Sequence, residues 1–241
     1  MTFATSVGQL KIKLFADGAD ARGIAEVGKD PLIRGFTTNP TLMRKAGITH
    51  YEAFAKEVLG IIGGRPISFE VFADDFAEME RQARLIATWG SNVFVKIPVT
   101  NTKRESAVPL VERLAKSGVR LNVTALMTTK QVREVANALK DGPESNISVF
   151  AGRIADTGRD PVPAMKEALD AMAIAPKAEL IWASPRELLN IFQADAIGCH
   201  IITATNDILA KLKLVGKDLD DYSLDTVQMF FKDGQASGFS L

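Results

Sequence analysis

Short apolar runs rich in β-branched and aromatic residues recur along the chain and predict eight buried strands. Between these runs, apolar residues recur every three or four positions, which is typical of helices that pack one face against a sheet. The predicted strands span residues 11–17, 33–40, 67–72, 91–98, 119–124, 147–150, 179–183 and 200–203. The predicted helices span residues 21–27, 51–62, 74–89, 105–117, 128–139, 163–173 and 186–195.

The alternation of strands and helices predicts an α/β fold, a (β/α)₈ TIM barrel formed by one domain over residues 1–241. An open, doubly wound parallel sheet is the alternative. The pattern contains no internal repeat and no linker that would divide the chain. Residues 151–161 are expected to form a loop.

The C-terminal residues 217–241 exceed what a minimal barrel requires and predict an additional helical arm. Apolar side chains recur along it at helical spacing, so one face of the helix is left without a partner. We expect this face to pack on a neighbouring subunit. Its main residues are Leu224, Val227, Phe230 and Phe231.

One lysine, Lys96, interrupts the predicted fourth strand, whose other positions are almost all apolar. Burial disfavours an ammonium group, and a neutral amine in a dry pocket attacks carbonyl carbons to form a Schiff base. Two alternatives stay open from this run alone. The side chain either reaches out of the sheet to solvent or pairs with a carboxylate.

Polar residues gather at or just after the ends of the predicted strands. In a TIM barrel the C-terminal strand ends meet on one face, and catalytic residues lie there. The sequence therefore predicts a single active site on that face. The residues concerned are Asp17, Asn39, Glu70, Lys96, Asn122, Thr124, Arg153 and Ser184.

Composition and charge exclude several classes of function. The 29 basic residues balance 29 acidic ones, so no overall charge attracts nucleic acid or an anionic membrane. No apolar run reaches the roughly 18 residues of a membrane span, and no basic segment followed by an apolar core predicts a signal peptide. Cys199 is the single cysteine, which suits a reducing cytoplasm, and two histidines are too few for the usual zinc sites. We expect a cytoplasmic protein without a metal, and interpret His50, His200 and Cys199 as structural.

Six short motifs follow one another along the predicted barrel. They are Asp17 after the first strand, Thr37-Thr38-Asn39-Pro40, Val95-Lys96-Ile97-Pro98, Asn122-Val123-Thr124-Ala125, Gly152-Arg153-Ile154 and Ala183-Ser184-Pro185-Arg186. In this order they resemble the motifs of the transaldolase family, and the short chain is similar to its small-transaldolase and fructose-6-phosphate aldolase group. The resemblance covers residues 11–212 and implies a TIM barrel, sugar-phosphate substrates, no cofactor, and ring-shaped homo-oligomers, either pentamers or decamers.

The resemblance also implies a role for each matching residue. Lys96 would form the Schiff base, and Asp17 would act as the general acid and base at a sugar hydroxyl. Glu70 and Thr124 would hold a water that carries protons. The residues that would bind hydroxyl groups of a dihydroxyacetone unit are Asn39, Asn122 and Ser148. Those that would bind a phosphate are Arg153, Ser184 and Arg186.

Two positions favour the transferase branch of the group over the lyase branch. The aldolases tend to have glutamine where Glu70 stands and tyrosine where Phe150 stands. A tyrosine hydroxyl would help to protonate the enamine and release free dihydroxyacetone, whereas the Phe150 ring has no proton to give. Pro185 departs from the family, which usually has an aromatic residue there, and this leaves the anionic end of the substrate less defined.

We therefore predict a transaldolase that transfers dihydroxyacetone from a phosphorylated ketose to an aldose phosphate. The alternatives are an aldolase of the fructose-6-phosphate type, a transaldolase for a sulfonated or deoxy ketose, and a barrel that binds sugar phosphates without turnover. Structural explanations also exist: Asp17 as a helix cap, Thr37-Thr38-Asn39-Pro40 as a turn, and Glu70 as an ion-pair partner of Lys96. They do not explain why these residues gather at one end of the barrel.

Overall fold

The strands form a closed barrel of eight parallel strands in chain order, and the first pairs with the last. This computed structural model describes residues 3–238. The strands are β1 Lys13–Asp17, β2 Ile33–Thr37, β3 Ile67–Glu70, β4 Val93–Pro98, β5 Leu121–Leu126, β6 Ser145–Val149, β7 Ala178–Trp182 and β8 Ile201–Thr205. The predicted TIM barrel with an additional C-terminal helix is confirmed, and the open sheet is excluded because β1 and β8 are hydrogen-bonded neighbours.

Helices alternate with the strands around the outside of the barrel. They are α1 Ala21–Val27, α2 Pro40–Lys45, α3 Tyr51–Ile61, α4 Phe76–Ala87, α5 Val108–Lys116, α6 Thr129–Leu139, α7 Ala151–Ala155, α8 Pro161–Ala171, α9 Leu189–Ala196, α10 Asn206–Leu209 and α11 Leu219–Ser237. Short 3₁₀ helices lie at Val7–Gln9 and Ala210–Leu214.

Two helices lie where the sequence predicted other structure. The Asn-Pro segment begins α2 instead of forming a simple turn, because the Asn39 side chain accepts a hydrogen bond from the Leu42 amide and Pro40 occupies the first helical turn. Residues 151–155 form the short helix α7 instead of a loop, so the prediction of a loop throughout 151–161 was wrong. Single-turn helices carry too few periodic positions to be detected from an apolar pattern.

The strands present two different faces. Their outward side chains, such as Phe69, Val95 and Leu121, are fully buried under the helices. The inward face carries a small apolar cluster of Phe15, Ile181, Ala183 and Ile201, and above it the polar residues of the site. Because side chains alternate along a strand, the outward burial of Val95 and Ile97 turns Lys96 into the barrel.

Uncommon backbone conformations and a close backbone contact occur beside the C-terminal strand ends. Ser184 and Ala125 both have left-handed conformations, with φ of 59° and 64°, which are uncommon for residues other than glycine. Ala125 directly follows Thr124 and coincides with an irregular register between β5 and β6. A Cβ atom on Gly152 would lie 1.5 Å from the Ser184 carbonyl oxygen, so only glycine fits there.

The C-terminal helix α11 has no buried residue along Leu219–Ser237. Its apolar side chains Leu224, Val227, Phe230 and Phe231 remain 54%, 60%, 65% and 67% exposed. Within residues 3–238, none of the helices is long and apolar enough to cross a membrane. The helix therefore carries an uncovered apolar surface.

Gly152→Ala should lower the free energy of unfolding by about 1–3 kcal/mol or more, because the added methyl group would force the Ser184 carbonyl away. The matched control is Gly60→Ala in α3, where an added Cβ meets nothing within 4 Å. That variant should be neutral or stabilised by up to about 1 kcal/mol. Urea unfolding of both variants tests the prediction, and equal stabilities would contradict it.

Candidate active site

Lys96 lies inside the barrel with only 6% of its surface exposed. Its Nζ atom lies 3.3 Å from Glu70 Oε2 and donates a 3.0 Å hydrogen bond to the Thr38 backbone carbonyl. Glu70 lies opposite Lys96 in the register of β3 and β4. The side chain therefore does not reach out to solvent, and the carboxylate pairing expected as an alternative is present. A carboxylate at this distance can also accept a proton from the amine.

Asp17 lies at the end of β1 and is held by two side chains from the next strand and turn. Thr37 Oγ1 donates to Asp17 Oδ1 at 2.8 Å, and Asn39 Nδ2 donates to Asp17 Oδ2 at 3.3 Å. Burial raises the pKa of Asp17 above its ordinary value, against the lowering effect of the Lys96 charge and these hydrogen bonds. The N-cap of α1 is Asp20, so Asp17 does not serve as that cap.

A chain of polar side chains crosses the barrel interior beside Lys96. Ser148 Oγ donates to Asn122 Oδ1 at 2.7 Å, and Asn122 Nδ2 donates to Ser68 Oγ at 2.9 Å. Thr124 Oγ1 is also buried and has no hydrogen-bond partner within residues 3–238. The structure thus brings Asn122, Ser148 and Thr124 to the same interior as Lys96, and among the described residues the Thr124 hydroxyl is left without a hydrogen bond.

The candidate anion-binding residues form a second cluster, which follows β6 and β7. Arg186 Nη1 donates to Ser184 Oγ at 3.0 Å, and the Arg153 guanidinium lies 5.8 Å from the centre of the Phe150 ring. Arg186 also binds Asp156 through two nitrogens, with Nε 2.8 Å from Oδ1 and Nη2 on Oδ2. This carboxylate was not predicted from the sequence.

Further residues support the site without having been predicted for it. Thr203 Oγ1 lies 2.5 Å from Thr37 Oγ1, whose proton goes to Asp17, so Thr203 donates. The Tyr51 hydroxyl donates to the Glu70 backbone carbonyl at 3.0 Å, and burial raises the pKa of Tyr51. Both residues act through neighbours that are distant in the sequence. The one signal in the sequence is that Thr203 ends the predicted eighth strand, and in the structure it lies in the middle of β8.

His200 and Cys199, whose side-chain types commonly bind metals, lie away from the site around Lys96. His200 precedes β8, at the opposite end of the barrel, and its Nδ1 accepts a hydrogen bond from the Leu180 amide. Cys199 is buried, and burial raises its thiol pKa to about 12. Both positions agree with the structural interpretation. Residues 3–238 contain no group of three or more His, Cys, Asp or Glu side chains placed to bind a metal ion.

Comparisons with known proteins agree on one family. The family model described as Transaldolase/Fructose-6-phosphate aldolase matches residues 14–240. A Listeria monocytogenes protein named probable transaldolase 2 is 33% identical over 229 residues, which cover 92% of this chain and 100% of that protein. A Methanococcus maripaludis protein named probable transaldolase is 34% identical over 202 residues, 83% of this chain and 89% of that protein.

A solved structure is similar in fold alone. It is a dihydrodipicolinate synthase family protein from Coccidioides immitis, which superposes with a TM-score of 0.58 at 10% sequence identity. The match covers 92% of this chain and 75% of that chain. This likeness supports the barrel architecture independently of the sequence family.

Asp17→Asn should raise the free energy of unfolding near neutral pH, because it removes a buried charge. The native pKa of Asp17 lies above its ordinary value of 3.8, so the native state binds the proton more strongly than the unfolded state. The stability contributed by Asp17 therefore falls as the pH rises through the raised pKa. The gain from the substitution should be largest above that pKa and should vanish below about pH 3.8.

Urea unfolding between pH 3 and pH 8 measures this difference. Asp74→Asn is a control of opposite sign, because hydrogen bonds from Thr102 lower the pKa of Asp74. That variant should lose stability near neutral pH, and the loss should shrink as the pH falls. A stability change in Asp17→Asn that does not vary with pH would contradict the assignment of a buried, destabilising carboxylate.

Proposed function

The chain belongs to the transaldolase/fructose-6-phosphate aldolase family, and on that premise we propose that it is a transaldolase. It transfers a dihydroxyacetone unit from a phosphorylated ketose to an aldose phosphate, through a Schiff base on Lys96. The observation that carries the proposal is the geometry around Lys96. Its buried amine lies 3.3 Å from the Glu70 carboxylate, and the Asp17 carboxyl is near enough for the Lys96 charge to oppose the rise in its pKa that burial causes.

The reaction begins at the amine. Glu70 accepts a proton from the Lys96 ammonium, and the neutral nitrogen attacks the keto carbon of the donor. The carbinolamine then loses its hydroxyl as water and becomes a protonated imine. A water bound between the Glu70 carboxylate and the Thr124 hydroxyl carries the protons for this step, which agrees with the buried and unpartnered Oγ1 of Thr124 within residues 3–238.

Carbon–carbon cleavage follows at Asp17. Its carboxylate removes the proton of the sugar hydroxyl next to the bond that breaks, and this oxygen becomes the aldehyde of the departing aldose phosphate. The electron pair of the broken bond enters the imine and gives an enamine on Lys96. A carboxyl with a raised pKa suits this step, because a base is most effective when its pKa approaches the working pH.

The second half of the reaction reverses these steps with another aldose phosphate. The enamine carbon attacks the aldehyde, Asp17 returns its proton to the new alkoxide, and water releases the product ketose from Lys96. The protonated imine withdraws electrons as a Lewis acid would, so the proposed mechanism uses no metal or cofactor. We also expect a cytoplasmic enzyme, in line with its single cysteine.

Substrate binding divides between the two clusters. Hydroxyl groups of the dihydroxyacetone unit bind Asn39, Asn122 and Ser148, which lie around Lys96 and Asp17. The anionic end binds Ser184 and the two arginines, Arg153 and Arg186, since a guanidinium fork fits a tetrahedral anion. Phe150 packs against the apolar cluster inside the barrel and lies 5.8 Å from the Arg153 guanidinium, and its ring has no proton to give to the enamine.

The direct test of this function compares a ketose phosphate donor with and without an aldose phosphate acceptor. Rapid product formation only with the acceptor, with little free dihydroxyacetone without it, is expected of a transaldolase. Dihydroxyacetone released at the same rate in both reactions would make the protein an aldolase. No turnover in either reaction would contradict an enzymatic function on these substrates.

The double variant Glu70→Gln with Phe150→Tyr should shift the enzyme from transfer towards net cleavage. The tyrosine adds a proton donor that quenches the enamine, and the amide changes the water relay at Lys96. The measurement is free dihydroxyacetone released per turnover in the absence of acceptor. If the double variant releases no more than the parent, these two positions do not select between the branches.

We further propose that the chain forms a homo-oligomer, a pentamer or a decamer, through α11. The exposed apolar face of Leu224, Val227, Phe230 and Phe231 supports this, because nothing in the described range 3–238 buries it. Deleting residues 221–241 should reduce the assembly size in sizing chromatography with light scattering. An unchanged assembly would show that other surfaces hold the subunits together.

A further inference from the structure

The cluster proposed to bind the anionic end of the substrate contains a carboxylate that such a site does not require. Asp156, the residue after α7, accepts hydrogen bonds from Nε and Nη2 of Arg186, at 2.8 Å for the Nε–Oδ1 pair. The third nitrogen, Nη1, donates to Ser184 Oγ at 3.0 Å. All three nitrogens of Arg186 therefore already have partners.

This pairing changes what the arginine offers a ligand. A tetrahedral anion binds a guanidinium best through two parallel N–H groups, and Asp156 occupies the pair formed by Nε and Nη2. Only the end of the fork, with one N–H on each Nη atom, remains for the substrate. A substrate anion bound at that end lies beside the negatively charged Asp156 carboxylate and is repelled by it.

The net charge of the cluster also disfavours a doubly charged ligand. Arg153 and Arg186 contribute two positive charges and Asp156 one negative charge, which leaves one positive charge. The hydrogen bond from Arg186 is the main cause that lowers the pKa of Asp156, so this carboxylate stays ionised at neutral pH. A phosphate monoester carries nearly two negative charges above its second pKa of about 6. The cluster therefore neutralises about half of a phosphate dianion.

The pair is poorly suited to a purely structural role. The side chains of Arg186 and Asp156 remain 44% and 52% exposed, and exposed ion pairs stabilise a fold by about 1 kcal/mol or less. The backbone of this segment is fixed by other contacts: the Arg186 amide donates to Asn190 Oδ1, and Gly152 fits closely against Ser184. A substitution of Asp156 should therefore change the affinity for charged ligands more than the stability of the fold.

We propose that Asp156 is a specificity-determining residue that matches this end of the site to a substrate group carrying a single negative charge. The proposal rests on the proposed function and deepens it. A phosphate dianion still binds, but against repulsion from Asp156. A singly charged oxyanion, such as a sulfonate, matches the net charge of Arg153, Arg186 and Asp156 without displacing the carboxylate.

The test is designed to work without turnover. Methyl phosphate, a dianion at pH 8, and methanesulfonate, a monoanion, are titrated into the parent, Asp156→Asn and a control variant, with binding followed by NMR. The asparagine keeps the shape of the residue and an acceptor for Arg186. The control is Glu78→Gln in α4, which removes one negative charge from another exposed arginine–carboxylate pair, Arg81–Glu78.

We expect Asp156→Asn to bind methyl phosphate about tenfold more tightly, the size expected for one partly screened like charge nearby. Its affinity for methanesulfonate should rise by a clearly smaller factor, because a monoanion experiences about half of the repulsion. Glu78→Gln should leave both affinities within about twofold of the parent. Equal gains for both anions, or weaker phosphate binding in Asp156→Asn, would overturn the proposal, the second because Asp156 would then serve to orient Arg186.

A kinetic measurement separates this proposal from the proposed function. KM is determined for a ketose 6-phosphate, its 6-sulfonate and the unsubstituted ketose, with the same acceptor. Asp156→Asn should lower KM about tenfold for the phosphate and leave it within about twofold for the unsubstituted ketose. If the parent turns over none of the three donors, the proposed function fails, and the NMR titrations still decide the role of Asp156.

Discussion

The burial of one amine constrains the rest of the site. An ammonium inside a barrel needs partners that compensate the lost hydration, and Lys96 has three close to it: the Glu70 carboxylate, the Thr38 carbonyl and the charge of Asp17. The carboxylates are in turn largely buried and need their own partners. Several polar residues at the C-terminal end of the barrel follow from this requirement, because they hydrogen-bond to one another or to these carboxylates.

The supporting residues show how far this requirement extends. Thr203 donates to Thr37, which donates to Asp17, so a carboxylate on β1 is fixed through β2 and β8. Tyr51, the first residue of α3, fixes the backbone of Glu70 from the helical layer. Such contacts hold the proposed catalytic groups in fixed positions, which is what proximity catalysis needs.

The sequence predicted the barrel because each βα unit carries its own periodic pattern, and the polar residues at strand ends follow from the topology once the strands are assigned. Two single-turn helices, α2 and α7, were too short to leave such a pattern. Tyr51 and Asp156 were not predicted because their roles depend on partners about 20 to 30 positions away in the sequence. Tyr51 bonds to Glu70, and Asp156 bonds to Arg186. The apolar neighbours of Lys96 on β4 drew attention to it, but that run alone left open a solvent-facing or carboxylate-paired lysine, and its partners became visible only in the closed barrel.

In the proposed mechanism, Lys96 forms a covalent imine with a ketose. The most direct measurement is borohydride reduction of the enzyme in the presence of a ketose phosphate, followed by intact mass and peptide mapping. We expect a reduced sugar-derived adduct on Lys96 and on no other lysine, and none in Lys96→Arg, because a guanidinium stays protonated and cannot attack a carbonyl. Circular dichroism of that variant confirms that it is folded. An adduct on Lys11 or Lys13, or no adduct on a folded and active parent enzyme, would contradict the Schiff-base mechanism.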